Sequence, residues 1–172
     1  MKKIGILLED LFDEKELIYP YFRLLEAGYE VDLIAGEAGK TYRGKSGLGQ
    51  VSSHASKDVG ADDYLGLVIP GGYSPDYMRR CQATKELVGE MDRQGKLVAA
   101  ICHGPWMMAS ACDIEGKNMT AFFSIKDDLI NAGANYLDQE VVVDGNLITS
   151  RTPADLPAFL RAILEKLEGA GA

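Results

Sequence analysis

The chain has 172 residues, of which 47% are hydrophobic, and its 18 basic and 26 acidic side chains give a formal net charge of −8. This length and apolar content predict one globular domain with a sizeable core, while the negative charge argues against nucleic acid and anionic membrane surfaces as partners. No apolar run reaches the roughly 20 residues of a membrane span, and the opening "MKKIGILLEDLFDE" turns acidic too early for a signal peptide, so we expect a cytoplasmic protein.

Strand-like apolar runs alternate with helical patterns along the first half of the chain. Four short runs rich in β-branched residues predict buried strands over residues 2–8, 29–35, 64–70 and 96–102. Between them, residues 14–28 and 84–95 show helical spacing and end near a glycine, as helix C-termini commonly do. Parallel strands joined by crossover helices give a doubly wound α/β sheet with helices on both faces.

The second half adds fewer and shorter elements. We predict a strand-like segment over residues 118–123, a helix over 124–133 and a hairpin over 140–150 that turns on Asp144 and Gly145. A last helix starts near Pro153 and ends at about Glu168. No repeat or linker divides the chain, so residues 1–168 are predicted to form a single domain and residues 169–172 a frayed tail.

The three cysteines, Cys81, Cys102 and Cys112, do not suggest a cross-linked framework. Their number is odd, and their spacings fit neither a disulfide scaffold nor a zinc site. We expect reduced thiols, with Cys81 and Cys112 structural, and we expect no metal or organic cofactor.

Cys102 and His103 lie where the apolar run "VAAICHGPWMM" is interrupted. Cys102 ends a predicted strand, with Ala100 two residues before it and Gly104 two residues after it. A nucleophile elbow needs small residues at those positions because its strand-to-helix turn is sharp. A helix starting near Pro105 would lower the pKa of the thiol through its positive end. The alternative is a buried cysteine that only ends a core strand.

A second motif points to a different class of protein. Residues 39–46, "GKTYRGKS", fit the phosphate-loop pattern G-x-x-x-x-G-K-[ST] of NTPases. That loop works only when it opens directly into a helix, whose N-terminus holds the phosphates. The following "GLGQVSS" instead predicts a hairpin, so nucleotide binding through Lys45 is disfavoured.

Four segments resemble the signature segments of the PfpI family of intracellular cysteine proteases, within the ThiJ/PfpI superfamily. They are "LVIPGGYSPDYMRR", "VAAICHGPWMMASA", "IKDDLINAGANYLDQEVVVDGN" and "SRTPADLPAF". The similarity spans about residues 2–167. It implies a flavodoxin-like fold of the class I glutamine amidotransferase-like type, with Cys102 as nucleophile and His103 beside it. It further implies that Glu16 contacts the nucleophile and that Asp76 of a neighbouring subunit completes the triad.

Each of these implied roles has a chemical requirement. A cysteine nucleophile needs a base, here His103, and an acid that fixes the tautomer of that base, here Asp76. Adjacent residues of a regular helix diverge, so His103 can serve Cys102 only if the elbow departs from helical geometry. Glu16 can help a thiolate only when it is protonated, which requires a raised pKa. The alternatives are a solvated carboxylate at Glu16 and a turn or capping residue at Asp76.

Other residues are candidates for binding the substrate. The N–H groups of Gly71 and Gly72 could join the amide of His103 in an oxyanion hole, or both glycines could serve only the turn. Arg151 could orient a substrate carboxylate or phosphate, or lie as an ordinary surface arginine. The family often has tyrosine where this chain has Phe122 and Ser46, so the substrates of relatives do not transfer directly.

The resemblance implies a cysteine-dependent hydrolase that acts on peptide or amide bonds. One alternative uses the same thiol to attack the aldehyde of methylglyoxal, or of its early protein adducts, and yields lactate-type products. Another is a redox sensor or holding chaperone, in which Cys102 is oxidised to a sulfinate stabilised by Glu16.

We also expect a homo-oligomer, a dimer, trimer or hexamer, because "GGYSPDYMRR" is rich in interface residue types and Asp76 is predicted to act across an interface.

Overall fold

The computed structural model describes residues 2–171. Its strands are β1 (Lys3–Leu7), β2 (Glu30–Ala35), β3 (Thr41–Arg43), β4 (Gly49–Val51), β5 (His54–Ala55), β6 (Gly66–Ile69), β7 (Leu97–Ile101), β8 (Asn118–Met119), β9 (Asn135–Tyr136), β10 (Val142–Asp144) and β11 (Leu147–Ser150). Its α-helices are α1 (Glu14–Glu26), α2 (Ser74–Met78), α3 (Gln82–Arg93), α4 (Pro105–Ala111), α5 (Lys126–Asn131) and α6 (Leu156–Ala170). Short 3-10 turns cover Ser56–Asp58, Ala61–Asp63, Phe123–Ile125 and Pro153–Asp155.

A central sheet of seven strands organises the described residues, in the order β10-β11-β7-β6-β1-β2-β5. Its neighbouring strands run parallel, except for the antiparallel hairpin of β10 and β11 at one edge. That hairpin forms at the predicted place, and Gly145 supplies the positive φ of +59° that its turn requires. The mostly parallel, doubly wound α/β sheet is therefore confirmed.

Two apolar cores lie on opposite faces of this sheet. On one face, the buried side chains of α1 and α6 pack against strand residues that include Ala99 and Ile101. On the other face, α3, α4 and α5 pack against strand residues that include Val98 and Ala100. These four consecutive residues of β7 are fully buried and alternate between the two cores, as side chains of a central strand do. The strand that directly precedes Cys102 is thus packed on both faces.

The phosphate-loop pattern folds as a hairpin. Strands β3 and β4 pair antiparallel, with Thr41 opposite Val51, and Lys45 lies in the turn between them. No helix follows Ser46 directly, so the loop lacks the helix N-terminus that holds phosphates in an NTPase.

Several elements differ from the prediction. Of residues 118–123, only Asn118–Met119 form a strand, which pairs with β9 outside the central sheet. The chain then turns towards the elbow, where the Phe122 amide donates to the carbonyl of Cys102 at 2.9 Å. The short helix α2 was not predicted. Helix α6 runs through Ala170, past the predicted end at Glu168, and Ala172 lies outside the described residues.

No helix within residues 2–171 has both the length and the apolar character needed to cross a membrane.

Candidate functional site

Cys102 occupies a sharp turn between β7 and α4. Its φ of +64° lies in the left-handed region, which is unfavourable for a residue with a Cβ atom. Gly104 packs tightly below the turn, because a Cβ atom there would lie 2.6 Å from the carbonyl oxygen of Ile69 and 2.8 Å from that of Ile101. The small residue two positions after Cys102 therefore has a packing reason, and the strand-to-helix turn is as sharp as the predicted elbow requires, while the role of Cys102 as nucleophile stays a prediction.

The left-handed turn brings two sequence neighbours face to face. The Sγ atom of Cys102 lies 3.3 Å from Nδ1 of His103. On the other side of the imidazole, Nε2 lies 3.2 Å from Oγ of Ser124. The ring stacks on Phe122 with centroids 5.1 Å apart and meets the edge of Trp106 at 5.0 Å. Burial and the nearby Lys45 lower the pKa of His103, so at pH 7 a neutral imidazole faces the thiol.

Glu16 reaches the same turn from the first turn of α1. The helix begins there because Asp13 caps it, accepting hydrogen bonds from the amides of Lys15 and Glu16. Glu16 is 1% exposed, its Oε1 accepts the N–H of Gly71 at 2.9 Å, and its Oε2 is buried without a hydrogen-bond partner. Burial and the charge of Asp13 raise its pKa to about 8. The carboxyl group is therefore protonated at pH 7, the state that proximity to a thiolate requires.

The thiol itself is not acidified as predicted. Burial and the charge of Glu16 raise the pKa of Cys102 to about 12, and these effects outweigh the amides of His103 and Gly72, which lower it. Helix α4 has only seven residues, so its positive end offers little compensation. The charge that Glu16 gains near pH 8 is one of the causes that raise the pKa of the thiol. The carboxyl group and the thiol therefore titrate as a coupled pair.

This coupling predicts an unusual pH profile for alkylation. The iodoacetamide reaction of Cys102 should accelerate up to about pH 8, where the pair loses its first proton, and then level off. In Glu16→Gln that inflection should disappear, because the thiol then titrates alone. Mass spectrometry of peptides after timed labelling distinguishes Cys102 from Cys81 and Cys112. Identical profiles for the two proteins would show that Glu16 does not share a proton with Cys102.

The two glycines after β6 have different roles. The amide of Gly71 donates to Glu16, so the prediction that it is free to hold an oxyanion is wrong. A Cβ atom on Gly71 would lie 2.6 Å from Glu16 Oε1 and 2.9 Å from Cys102 Cβ, so glycine lets these two residues approach each other. The amides of Gly72 and His103 interact with the sulfur of Cys102 and lower the pKa of its thiol, so they favour a thiolate, and an oxyanion hole built from them stays a prediction.

Asp76 lies on α2 and pairs with two arginines that directly follow this helix. Its carboxylate accepts hydrogen bonds from Arg79 at 3.1 Å and Arg80 at 2.6 Å, and these two guanidinium groups lower its pKa. Within the chain, its side-chain hydrogen bonds thus go to these arginines rather than to His103. A contact across an interface stays a prediction.

Arg151, a candidate for binding the substrate, pairs with two acidic side chains of the chain. Its Nε and Nη2 atoms donate to the two carboxylate oxygens of Asp155 at 2.9 and 3.0 Å, and its Nη1 donates to Asp138 at 3.0 Å. These ion pairs fix Arg151 at the entrance to α6, and a contact with a substrate stays a prediction.

A cavity of about 430 Å³ opens above the thiol. It is lined by Asp13, Glu16, Lys45, Gly72, Tyr73, Cys102, His103, Phe122, Thr152 and Pro153. Lys45 enters this cavity from the β3–β4 turn and pairs with Asp13 at 3.0 Å, whereas Ser46 donates its amide to Glu14. The sequence pointed to Lys45 only through the phosphate-loop pattern, and it gave no signal for Ser124.

Within residues 2–171, no cluster of three or more metal-ligating side chains forms.

The family model described as "DJ-1/PfpI family" matches residues 2–166. The chain belongs to the DJ-1/PfpI family. The resemblance to PfpI proteins is thereby confirmed, together with the fold that it implied.

DJ-1/PfpI relatives carry more than one functional name. "Deglycase PfpI" of Pyrococcus furiosus is 41% identical over 96% of this chain and 99% of its own. "Protein/nucleic acid deglycase 2" of Escherichia coli is 45% identical over 96% and 98%. The protein named "Putative cysteine protease YraA" of Bacillus subtilis is 46% identical over 97% and 99%. Relatives at similar distance are thus named both deglycases and a protease.

Solved structures of DJ-1/PfpI proteins superpose closely. A two-domain protein of Anabaena variabilis with DJ-1/ThiJ/PfpI-like and ferritin-like domains matches with a TM-score of 0.95 and 44% identity. The match covers 98% of this chain but 48% of that one, so this chain spans about half of the two-domain protein. Drosophila melanogaster DJ-1beta matches with a TM-score of 0.90 and 30% identity, over 96% and 90% of the two chains.

Proposed function

We propose that this DJ-1/PfpI protein is a cofactor-free cysteine enzyme that removes early methylglyoxal adducts from amines, a deglycase. The observation that carries this proposal is a buried, protonated Glu16 and a neutral His103 around one thiol in a cavity of about 430 Å³. Such a cavity suits a three-carbon carbonyl group attached to an amine better than an extended peptide. The deglycase names of several relatives agree with this choice.

The residues of the site have complementary roles in this reaction. The thiol proton moves from Sγ of Cys102 to Nδ1 of His103, and the sulfur attacks the hemiaminal carbon of the adduct. The carbon–sulfur bond forms as the carbon–nitrogen bond breaks, and the amine leaves with the proton that His103 had taken. The product is a hemithioacetal on Cys102, and His103 is neutral again.

The remaining steps convert the hemithioacetal into lactate. His103 removes the proton from the first carbon and returns it to the second, while the hydroxyl proton of the first carbon passes to the oxygen on the second, and the hemithioacetal becomes a thioester of lactate. The protonated Glu16 donates a hydrogen bond to the reacting group, and the amides of Gly72 and His103 stabilise negative charge on its oxygen. Water then hydrolyses the thioester and regenerates the thiol. The sum is adduct plus water to free amine plus lactate.

A peptidase is the second candidate, supported by the two amides directed at the sulfur and by one relative's name. Both activities need Cys102, so the product decides between them. A deglycase yields lactate and an intact amine, whereas a peptidase yields new peptide ends.

Replacing Cys102 with Ser should reduce lactate formation from methylglyoxal-treated N-acetyl-lysine by at least about a thousandfold, because the nucleophile is lost. Cys81→Ser is the matched control, since Cys81 lies at the start of α3 and outside the cavity lining, and it should keep full activity. Lactate and free amine are measured together, against the rate at which the adduct releases methylglyoxal spontaneously. Peptide cleavage that depends on Cys102, without lactate, would favour the peptidase. Equal lactate formation by Cys102→Ser would refute the deglycase, and equal peptide cleavage by Cys102→Ser would refute the peptidase.

A further inference from the structure

The outer nitrogen of His103 has a partner within the same chain. A histidine that acts as a base must present one nitrogen to the nucleophile while a hydrogen bond at the other fixes its tautomer. Nδ1 of His103 faces Cys102 at 3.3 Å, and Nε2 lies 3.2 Å from Oγ of Ser124. We propose that Ser124 is the positioning residue for His103, so that Cys102, His103 and Ser124 form a complete arrangement within one chain. This inference rests on the proposed function.

The segment that carries Ser124 is fixed to the elbow. Ser124 is the middle residue of the 3-10 turn Phe123–Ile125. The Phe122 amide donates to the carbonyl of Cys102 at 2.9 Å, and the amide of Ile125 donates back to the carbonyl of Phe122 at 3.1 Å. Ile125 is 1% exposed and packs into the core between the sheet and α3, α4 and α5. The hydroxyl is thus held by the same backbone that supports the nucleophile.

A hydroxyl group suits a histidine that has to remain neutral before it takes a proton. With hydrogen on Nε2, His103 donates to Oγ of Ser124 and keeps the lone pair of Nδ1 free for the thiol proton. When Nδ1 takes that proton from Sγ, the Nε2–H bond to Ser124 is unchanged. A carboxylate in the same place would favour the charged imidazolium from the start. Burial and the nearby charge of Lys45 both disfavour the imidazolium.

This arrangement competes with an acid from a neighbouring subunit. An Asp76 supplied by another chain would have to bind Nε2, the atom that Ser124 already contacts. Within its own chain, the Asp76 carboxylate is held by Arg79 and Arg80. The inference therefore assigns the hydrogen bond at Nε2 of His103 to Ser124 rather than to an acid of a neighbouring subunit.

The test compares Ser124→Ala with Ser124→Thr, which keeps a hydroxyl group. Because the chain has two histidines, the ring nitrogens of His103 and His54 can be told apart by 15N NMR once a His54 variant assigns them. In wild type the His103 shifts should report hydrogen on Nε2. Ser124→Ala should move them towards a mixture of tautomers and lower kcat about tenfold with KM unchanged, the scale of one hydrogen bond. Ser124→Thr should restore both.

A matched control lies at the other histidine. Oγ of Ser53 is 3.0 Å from Nδ1 of His54, so Ser53→Ala should shift the His54 nitrogens and leave those of His103 and kcat unchanged. The NMR measurement needs no substrate, so it tests the role of Ser124 even if the deglycase proposal fails. Unchanged His103 shifts in Ser124→Ala, or a tautomer change in Asp76→Asn instead, would overturn the inference.

Discussion

Replacing Glu16 with Gln should remove a loss of stability that the wild-type protein undergoes as the pH rises from 5 to 8. The pKa of the carboxyl group is about 8 in the folded state and about 4.5 in the unfolded state. Between these values the folded protein binds one proton more than the unfolded chain, so its contribution to stability is full below pH 4.5 and is lost towards pH 8. A difference of about 3.5 pKa units corresponds to roughly 5 kcal/mol.

Urea denaturation of both proteins at pH 5, 6.5 and 8 measures this effect. His103 acts in the opposite direction, because its lowered pKa makes stability increase as the pH rises from its folded pKa to the unfolded value of 6.5, so the difference between the two proteins isolates Glu16. Glu26→Gln is the control, since Glu26 lies on the same helix and is exposed. If the free energies of unfolding of wild type and Glu16→Gln stay parallel across this range, Glu16 does not hold a proton in the folded protein.

Gly72→Ala should destabilise the protein by roughly 3 to 5 kcal/mol, because it combines a left-handed backbone with severe crowding. The φ of Gly72 is +69°, and a Cβ atom there would contact the carbonyl oxygen of Leu11 and lie 2.6 Å from the amide nitrogen of Asp13. These are backbone atoms, which cannot rotate away. The loop before α1 would have to move, and with it Glu16.

Gly28→Ala separates the two causes. Gly28 also has a positive φ, +89°, but nothing lies within 4 Å of its hypothetical Cβ atom. Its replacement should cost only about 1 kcal/mol. Equal costs at both positions, measured by chemical denaturation at pH 7, would show that the Gly72 backbone does not approach the loop as the structure describes.

The sequence predicted features that depend on near neighbours. Ala100, Cys102 and Gly104 lie within five residues, so the steric demand of the elbow could be read directly from their spacing. The sheet could likewise be inferred from apolar runs that a buried strand requires. In these cases the local chain and the fold favour the same conformation.

Features that depend on distant contacts escaped prediction. The sequence predicted a free amide at Gly71, but in the structure this amide donates a hydrogen bond to Glu16, which is 55 residues away in the chain. Ser124 meets His103 across 21 residues, and a serine in a turn has no sequence pattern that marks such a contact. The guanidinium group of Arg151 pairs with Asp155 and Asp138. Composition does not distinguish these two carboxylates from the other acidic residues of the chain. Only the packing of the folded chain decides which polar groups pair.

Trp106 is the only tryptophan in the chain, and its ring meets His103 at 5.0 Å and the guanidinium of Arg79 at 4.8 Å. Its indole N–H donates to Asp128 at 2.8 Å, which holds the ring in this position. Intrinsic fluorescence excited at the indole band therefore arises beside the imidazole of His103, with no other indole to obscure it. Occupation of the cavity or a change in the charge of His103 can then be followed optically, in real time and without a label.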